Sequence, residues 1–102
     1  MKIVRVQYTT TKQYAEINKR NIQSIVKELR KIDHKGIKYN AYVLPDGKTF
    51  MHLDHFENEE AHQFLTSLES FKKFSKELWA SSLEVEPKLE LLEHVAGTLI
   101  SI

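Results

Sequence analysis

The stretch GIKYNAYVLPDGKTFMHLDHF, Gly36 to Phe56, joins two apolar-rich runs through the tetrad Leu44, Pro45, Asp46, Gly47, and it writes a β-hairpin. Pro45 pre-sets φ at the second position of a type I turn, Asp46 suits the third, and Gly47 takes the left-handed conformation of a G1 bulge. On that reading Leu44 faces Lys48. Counting outward pairs Tyr42 with Phe50, Asn40 with His52 and Lys38 with Asp54, while Ala41 meets Met51, Tyr39 meets Leu53 and Ile37 meets His55. A two-residue Asp46-Gly47 turn would instead set Val43 against Phe50 and Tyr39 against Asp54. The first register mostly keeps like with like and puts a lysine across from an aspartate, so it is preferred.

Outward from the hairpin, the periodicity of the chain changes element by element. In Lys2 to Thr9, Val4, Val6 and Tyr8 alternate with Ile3, Arg5, Gln7 and Thr9, the period of a half-buried strand. From about Lys12 to Ile32 the positions Ile17, Asn21, Ile25, Leu29 and Ile32, with Tyr14, Ile22 and Val26, recur at helical spacing. Gly36 suits the end of that helix or the turn after it. Asn58 is a candidate N-cap with Glu59 and Glu60 behind it, and Phe64, Leu68, Phe71, Phe74 and Leu78 carry helical spacing to about Ala80. This is one helix or two, because Thr66 and Glu69 match a capping box. Pro87 to the end reads as a last strand, with Leu89, Leu91 and Val95 alternating against Lys88, Glu90, Leu92 and His94, and Gly97 ending or bulging it.

The elements give an α+β chain of ferredoxin-like βαββαβ plan: a four-stranded antiparallel sheet with two helices on one face, in a single domain over residues 1–102. The preferred register puts Val4, Val6, Tyr39, Ala41, Val43, Met51, Leu53, Leu89 and Leu91 under the helices. The other face collects Ile3, Arg5, Gln7, Lys38, Asn40, Tyr42, Phe50, His52, Asp54, Leu92 and His94. It is too aromatic for a solvated surface and too polar for a dry core, so a second copy of the chain or a ligand should cover it.

Composition removes several classes of function. Fifteen basic and fourteen acidic residues are interspersed, net charge +1, which leaves no field to gather nucleic acid or anionic lipid. With no cysteine there is no disulfide scaffold and no thiolate ligand or nucleophile. No apolar run approaches the ~20 residues of a membrane span, and the alternating amino terminus is not a secretory signal, so the expected location is cytoplasmic.

The hairpin, the helix with Asn18 ahead of Ile22, Ile25, Val26 and Leu29, and SFKKF at Ser70 to Phe74 resemble small proteins of the dimeric α+β barrel group, similar to the antibiotic biosynthesis monooxygenase family. The resemblance spans nearly the whole chain. It implies a homodimer in which two sheets face each other as a barrel, with any pocket between a sheet and its own helices or inside the barrel. The group holds oxygenases that act on aromatic polyketides without metal or cofactor, relatives that degrade haem, and many members of unassigned activity. Such oxygenases use an Asn, Trp and Tyr or His combination. Here the first strand has no Asn and the one tryptophan, Trp79, comes late in the second helical region, so Asn40, Tyr42 and His52 are the substitute polar set.

His52 beside Asn40 would polarise a carbonyl or act as a general base, since imidazole titrates near neutral pH; the plain alternative is a histidine hydrogen-bonded across a dimer interface. Among His52, Asp54, His55, His62 and His94, alternation sends His55 to the opposite face from His52, HxH and HExxH spacings are missing, and no metal site is expected. Phe64, Phe71, Phe74 and Trp79 fit core packing better than a pocket for a flat ligand. The reading is a homodimer of unassigned activity that binds a small hydrophobic or aromatic molecule and needs no cofactor. The alternatives are a cofactor-independent monooxygenase with His52, Asn40 and Tyr42 as its catalytic set, and a structural dimer without ligand.

Overall fold

The computed structural model describes residues 1–98, so the part of the expected last strand at 99–102 lies outside the described residues. Strand β1 (Lys2–Thr9) leads into helix α1 (Lys12–Ile32), followed by β2 (Ile37–Val43), β3 (Thr49–Phe56), α2 (Glu59–Ser67), α3 (Glu69–Ala80) and β4 (Val85–Leu92). The four strands form one antiparallel sheet in the order β2-β3-β1-β4. The chain is thus α+β with three helices rather than two. None of the described helices is long and apolar enough to cross a membrane.

The hairpin forms, but in the other register. Val43 pairs with Phe50, Ala41 with His52, Tyr39 with Asp54 and Lys38 with His55. Asp46 is the reason: its carboxylate accepts the backbone N–H groups of Lys48 at 3.0 Å and Thr49 at 2.8 Å, while Leu44 N donates to Thr49 O. The loop is therefore four residues, Pro45 to Lys48, and needs no bulge. Within it Gly47 N donates to Leu44 O at 2.9 Å, and Gly47 holds the left-handed φ of 76° that the turn requires. A Cβ at Gly47 would meet nothing within 4 Å. Gly47→Ala is accordingly expected to cost about 1–2 kcal/mol through backbone strain alone, read as a lower urea midpoint with an unchanged m-value.

Slipping the hairpin by one residue exchanges the faces of its pairing. On β3, Phe50, His52, Asp54 and Phe56 turn toward the helices and are buried; Met51, Leu53 and His55 turn away and are only partly so. Pointing Met51 and Leu53 inward would have left two phenylalanines outside, and an aromatic ring buries the larger area, ~150–250 Å². On β1, Tyr8 stacks on Phe50 with ring centroids 5.7 Å apart and planes at 15°. Asn40 and Tyr42 stay on the outer face, as expected, so His52 and Asn40 are not neighbours on one face.

Helix α1 occupies the span its periodicity indicated. Thr11 caps it by accepting from Tyr14 N, and Asp33 closes it in the left-handed conformation. Its buried stripe is Ala15, Asn18, Asn21, Ile22 and Ile25, while Ile17 and Ile32 are exposed. Gly36 follows in the turn, where a Cβ would lie 2.6 Å from Glu57 Oε2 and 3.0 Å from Glu57 Cβ, so a side chain there would push the Glu57 side chain aside. Asn58 caps α2 by accepting from Ala61 N at 2.9 Å. The break between α2 and α3 falls at Leu68, whose extended backbone (φ −66°, ψ 140°) interrupts the helix without a side-chain cap; Thr66 donates back to Gln63 O instead of restarting it.

The core lies between the helices and the inward sheet face, with Val4, Tyr8, Ile25, Phe50, Phe56, Leu65 and Phe74 in one cluster. The last strand differs from the rest. It starts at Val85, carries Pro87 on an outer edge where no ladder N–H is needed, and ends at Leu92, so Val95, His94 and Gly97 fall beyond it. The β1–β4 register shifts between Gln7 and Thr9, next to that proline. Leu89 and Leu91 point to the helix side but remain 57% and 66% exposed.

Candidate functional site

Polar side chains on the inward face of β3 need partners, because a buried polar group without one costs about 1–3 kcal/mol. His52, 4% exposed, has Val6 opposite on β1 and Ala41 opposite on β2, neither of which can hydrogen-bond through its side chain. Its partners come from the diagonal positions. The Tyr8 hydroxyl lies 2.7 Å from His52 Nε2 and the Tyr39 hydroxyl 3.3 Å from Nδ1. Asn18, fully buried on α1, donates through Nδ2 to the Tyr8 oxygen at 2.8 Å.

Each ring nitrogen of His52 thus has a tyrosine hydroxyl within hydrogen-bond distance, and the neutral imidazole donates from one nitrogen and accepts at the other. Burial holds His52 neutral and pushes its pKa down to about 4, and burial likewise raises the Tyr8 and Tyr39 hydroxyls, Tyr39 also feeling the Asp54 charge. Asn18 Oδ1 has no partner among the described residues.

Tyr39 and His52 open onto a cavity of about 220 Å³ between the sheet and the α2–α3 pair. At ~30 Å³ for each water it has room for roughly seven waters or one bicyclic molecule. Val4 and Val6 line its sheet side, α2 contributes His62, Leu65 and Thr66, and α3 contributes Phe71, Phe74, Ser75, Leu78 and Trp79. Asp54, 6% exposed, is also in the wall; burial raises its pKa to about 7, and the 3.3 Å hydrogen bond from Asn40 N only partly offsets that. His62 stacks on Phe56 and is shifted downward, first by burial and then by the Lys2 charge. A larger, more open depression of about 600 Å³ runs along α1 beside Ala41, but its polar side chains, among them Gln23, Lys27 and Lys31, are surface groups. The buried ionisable side chains His52 and Asp54 line the smaller cavity.

The chain matches no protein-family profile and no curated protein. Solved structures do match it. It superposes on an antibiotic biosynthesis monooxygenase with a TM-score of 0.77 at 15% identity, covering 94% of this chain and 100% of that one. The candidate antibiotic biosynthesis monooxygenase of Deinococcus radiodurans gives 0.73 at 18%, covering 100% and 98%, and PA3566 of Pseudomonas aeruginosa gives 0.76 at 21%, covering 93% and 94%. The chain has the antibiotic biosynthesis monooxygenase-like fold. Identity at this level speaks for the fold alone.

Within this antibiotic biosynthesis monooxygenase-like fold the expected polar set is divided. His52 lies inside, at the cavity; Asn40 and Tyr42 are exposed on the opposite sheet face, and Asn40 reaches the cavity only through its backbone N–H to Asp54. His94 is exposed beyond β4 and does not join His52 and Asp54. No group of three His, Asp or Glu among the described residues is placed to hold a metal ion. Of the four aromatics expected in the core, Phe74 is buried in it and Phe64 and Phe71 pack against it, while Trp79 is exposed; Phe71, Phe74 and Trp79 also line the cavity, and Phe64 packs beside His34. His52 and Asp54 share a face, as the sequence suggests, whereas Tyr8, Asn18 and Tyr39 are not legible as part of a site. The available signal was Asn18, a polar residue at helical spacing within the stripe Ala15, Ile22, Ile25.

Proposed function

We propose that the protein binds a small, flat, mainly apolar molecule in the cavity between the sheet and α2–α3, and that it does so as a homodimer. The observation that carries the reading is a neutral, fully hydrogen-bonded histidine at the wall of a mainly apolar and aromatic cavity, the usual make-up of a small-molecule site. The one tryptophan, Trp79, lines that cavity and serves as reporter. Titration with naphthalene derivatives is expected to quench its fluorescence saturably, and Ser75→Phe, which fills the cavity, is expected to abolish the effect. Equal quenching of the two proteins would sink the proposal.

The second copy is favoured by the bare last strand: Leu89, Leu91 and Leu92 are exposed, on both faces of β4. The outer sheet face adds Met51, Leu53 and Tyr42 around the Arg5–Glu90 ion pair. Light scattering at low micromolar concentration is expected to give twice the chain mass. A stable folded monomer removes this part of the proposal, while a dimer that takes up no ligand leaves the structural reading.

A second reading, cofactor-independent oxygenation, is favoured by the hydrogen-bonded chain Tyr8–His52–Tyr39 at the cavity and by the names of the structural neighbours. An anthrone-type methylene would lose two hydrogens while O2 supplies one oxygen to the new carbonyl and one to water. His52 is the proposed proton acceptor, reached through the Tyr39 hydroxyl, which takes the substrate proton and passes its own to Nδ1; Asn40 and Tyr42 are on the opposite sheet face. Oxygen uptake with an anthrone is expected to fall in His52→Ala, and an unchanged rate would remove the role.

A further inference from the structure

Asp54 is a buried carboxylate with too few partners. An ionised carboxylate offers about four acceptor positions, and its one hydrogen bond among the described residues is the 3.3 Å contact from Asn40 N. Val4 pairs with it from β1 and Tyr39 from β2, and His52 on its own strand, His62 and Leu65 from α2 and Leu78 from α3 line the same cavity. None supplies a positive charge near neutral pH, because His52 and His62 both have lowered pKa values and no lysine or arginine perturbs Asp54. A single buried charge is the costly arrangement, and a counter-charge beside it removes most of the cost.

We infer that the cavity selects a flat hydrophobic amine in its protonated form, the ammonium seated on the Asp54 carboxylate and the body among the rings of Tyr39, Phe71, Phe74 and Trp79. This rests on the proposed small-molecule site and names its ligand class. The rings add to the selection, since an ammonium over an aromatic face is attracted by the ring quadrupole. A neutral alcohol of the same shape can donate one hydrogen bond to Asp54 but leaves its charge uncompensated.

The test compares naphthylmethylamine with naphthylmethanol by calorimetry on the full chain. At pH 8, with Asp54 ionised, the amine is expected to bind about tenfold more tightly, the size of one charge-assisted hydrogen bond. At pH 6 the amine keeps its charge while Asp54 takes a proton, and the preference should shrink toward unity. Asp54→Asn should abolish it by weakening the amine. Equal or tighter binding of the alcohol at pH 8 overturns the inference and spares the small-molecule site. A preference retained in Asp54→Asn also overturns it, since it would then belong to His62 or the surface. If neither compound binds at either pH, the small-molecule site falls and the inference with it. Should Asp54→Asn fail to fold, the wild-type comparison at two pH values decides.

Discussion

Asp54→Asn is expected to stabilise the fold at pH 8 by up to roughly 4 kcal/mol, measured by urea unfolding across a pH series. Folding moves the carboxyl from 3.8 to about 7, and each pKa unit is worth about 1.36 kcal/mol. Between those values the native state holds a proton that the unfolded chain has released, so stability falls as pH rises and the full loss is reached above pH 7. His52 acts in the opposite sense. Its pKa drops from 6.5 to about 4 on folding, so below pH 6.5 the unfolded chain binds the proton first and stability falls as pH falls, by roughly 3 kcal/mol at pH 4 and below. Across pH 4 to 6.5 the two slopes nearly cancel. The wild-type contribution from this pair is therefore almost flat, and Asp54→Asn should expose the His52 rise while His52→Gln exposes the Asp54 fall. An Asp54→Asn curve that matches wild type at pH 8 contradicts the assignment.

Phe74→Ala should cost roughly 3–5 kcal/mol, the range for truncating a buried aromatic ring. Phe74 is 6% exposed and belongs to the core cluster, with its ring 5.5 Å from that of His52 and 5.7 Å from that of Phe71. Removing it joins the vacated volume to the existing cavity. Water then reaches the imidazole, the desolvation that depressed its pKa is relieved, and His52 should titrate closer to 6.5. Urea unfolding reads the first effect and an NMR titration of the His52 ring reads the second. A destabilisation below ~1 kcal/mol, with His52 still near 4, would mean that the neighbouring rings had refilled the space.

Local chemistry made much of the fold legible. The turn residues announced the hairpin, Asn58 announced the start of α2, and a 21-residue periodicity announced α1 at its observed ends. Matching the two strands against each other does not reveal the register, because what sets it lies outside the pair. Asp46 acts through its side chain, and the decisive packing partner of Phe50 is Tyr8, forty-two residues away on a strand that the hairpin alone does not reveal. His52 drew attention for a face it does not occupy. Its true neighbours arrive from β1, β2 and α1, and only the tertiary arrangement brings Asn18 to Tyr8. Asp54 looked like half of a surface ion pair with Lys38 and is instead an unpaired carboxylate inside.

The interruption at Leu68 makes the cavity wall a two-part construction. Helix α3 is tied to α1 by Asn21 to Glu77 and by Ser70 to Glu28, and it brings the aromatic rings. Helix α2 is nine residues long, below the ~12–15 needed for a helix to persist unaided; it brings Thr66 and His62 to the rim and Leu65 to the core. A continuous helix over both segments would carry every change in one half into the other. Divided as it is, the rim can be recut for a ligand of another size or polarity while the aromatic wall, and the core that α3 completes, keeps its place.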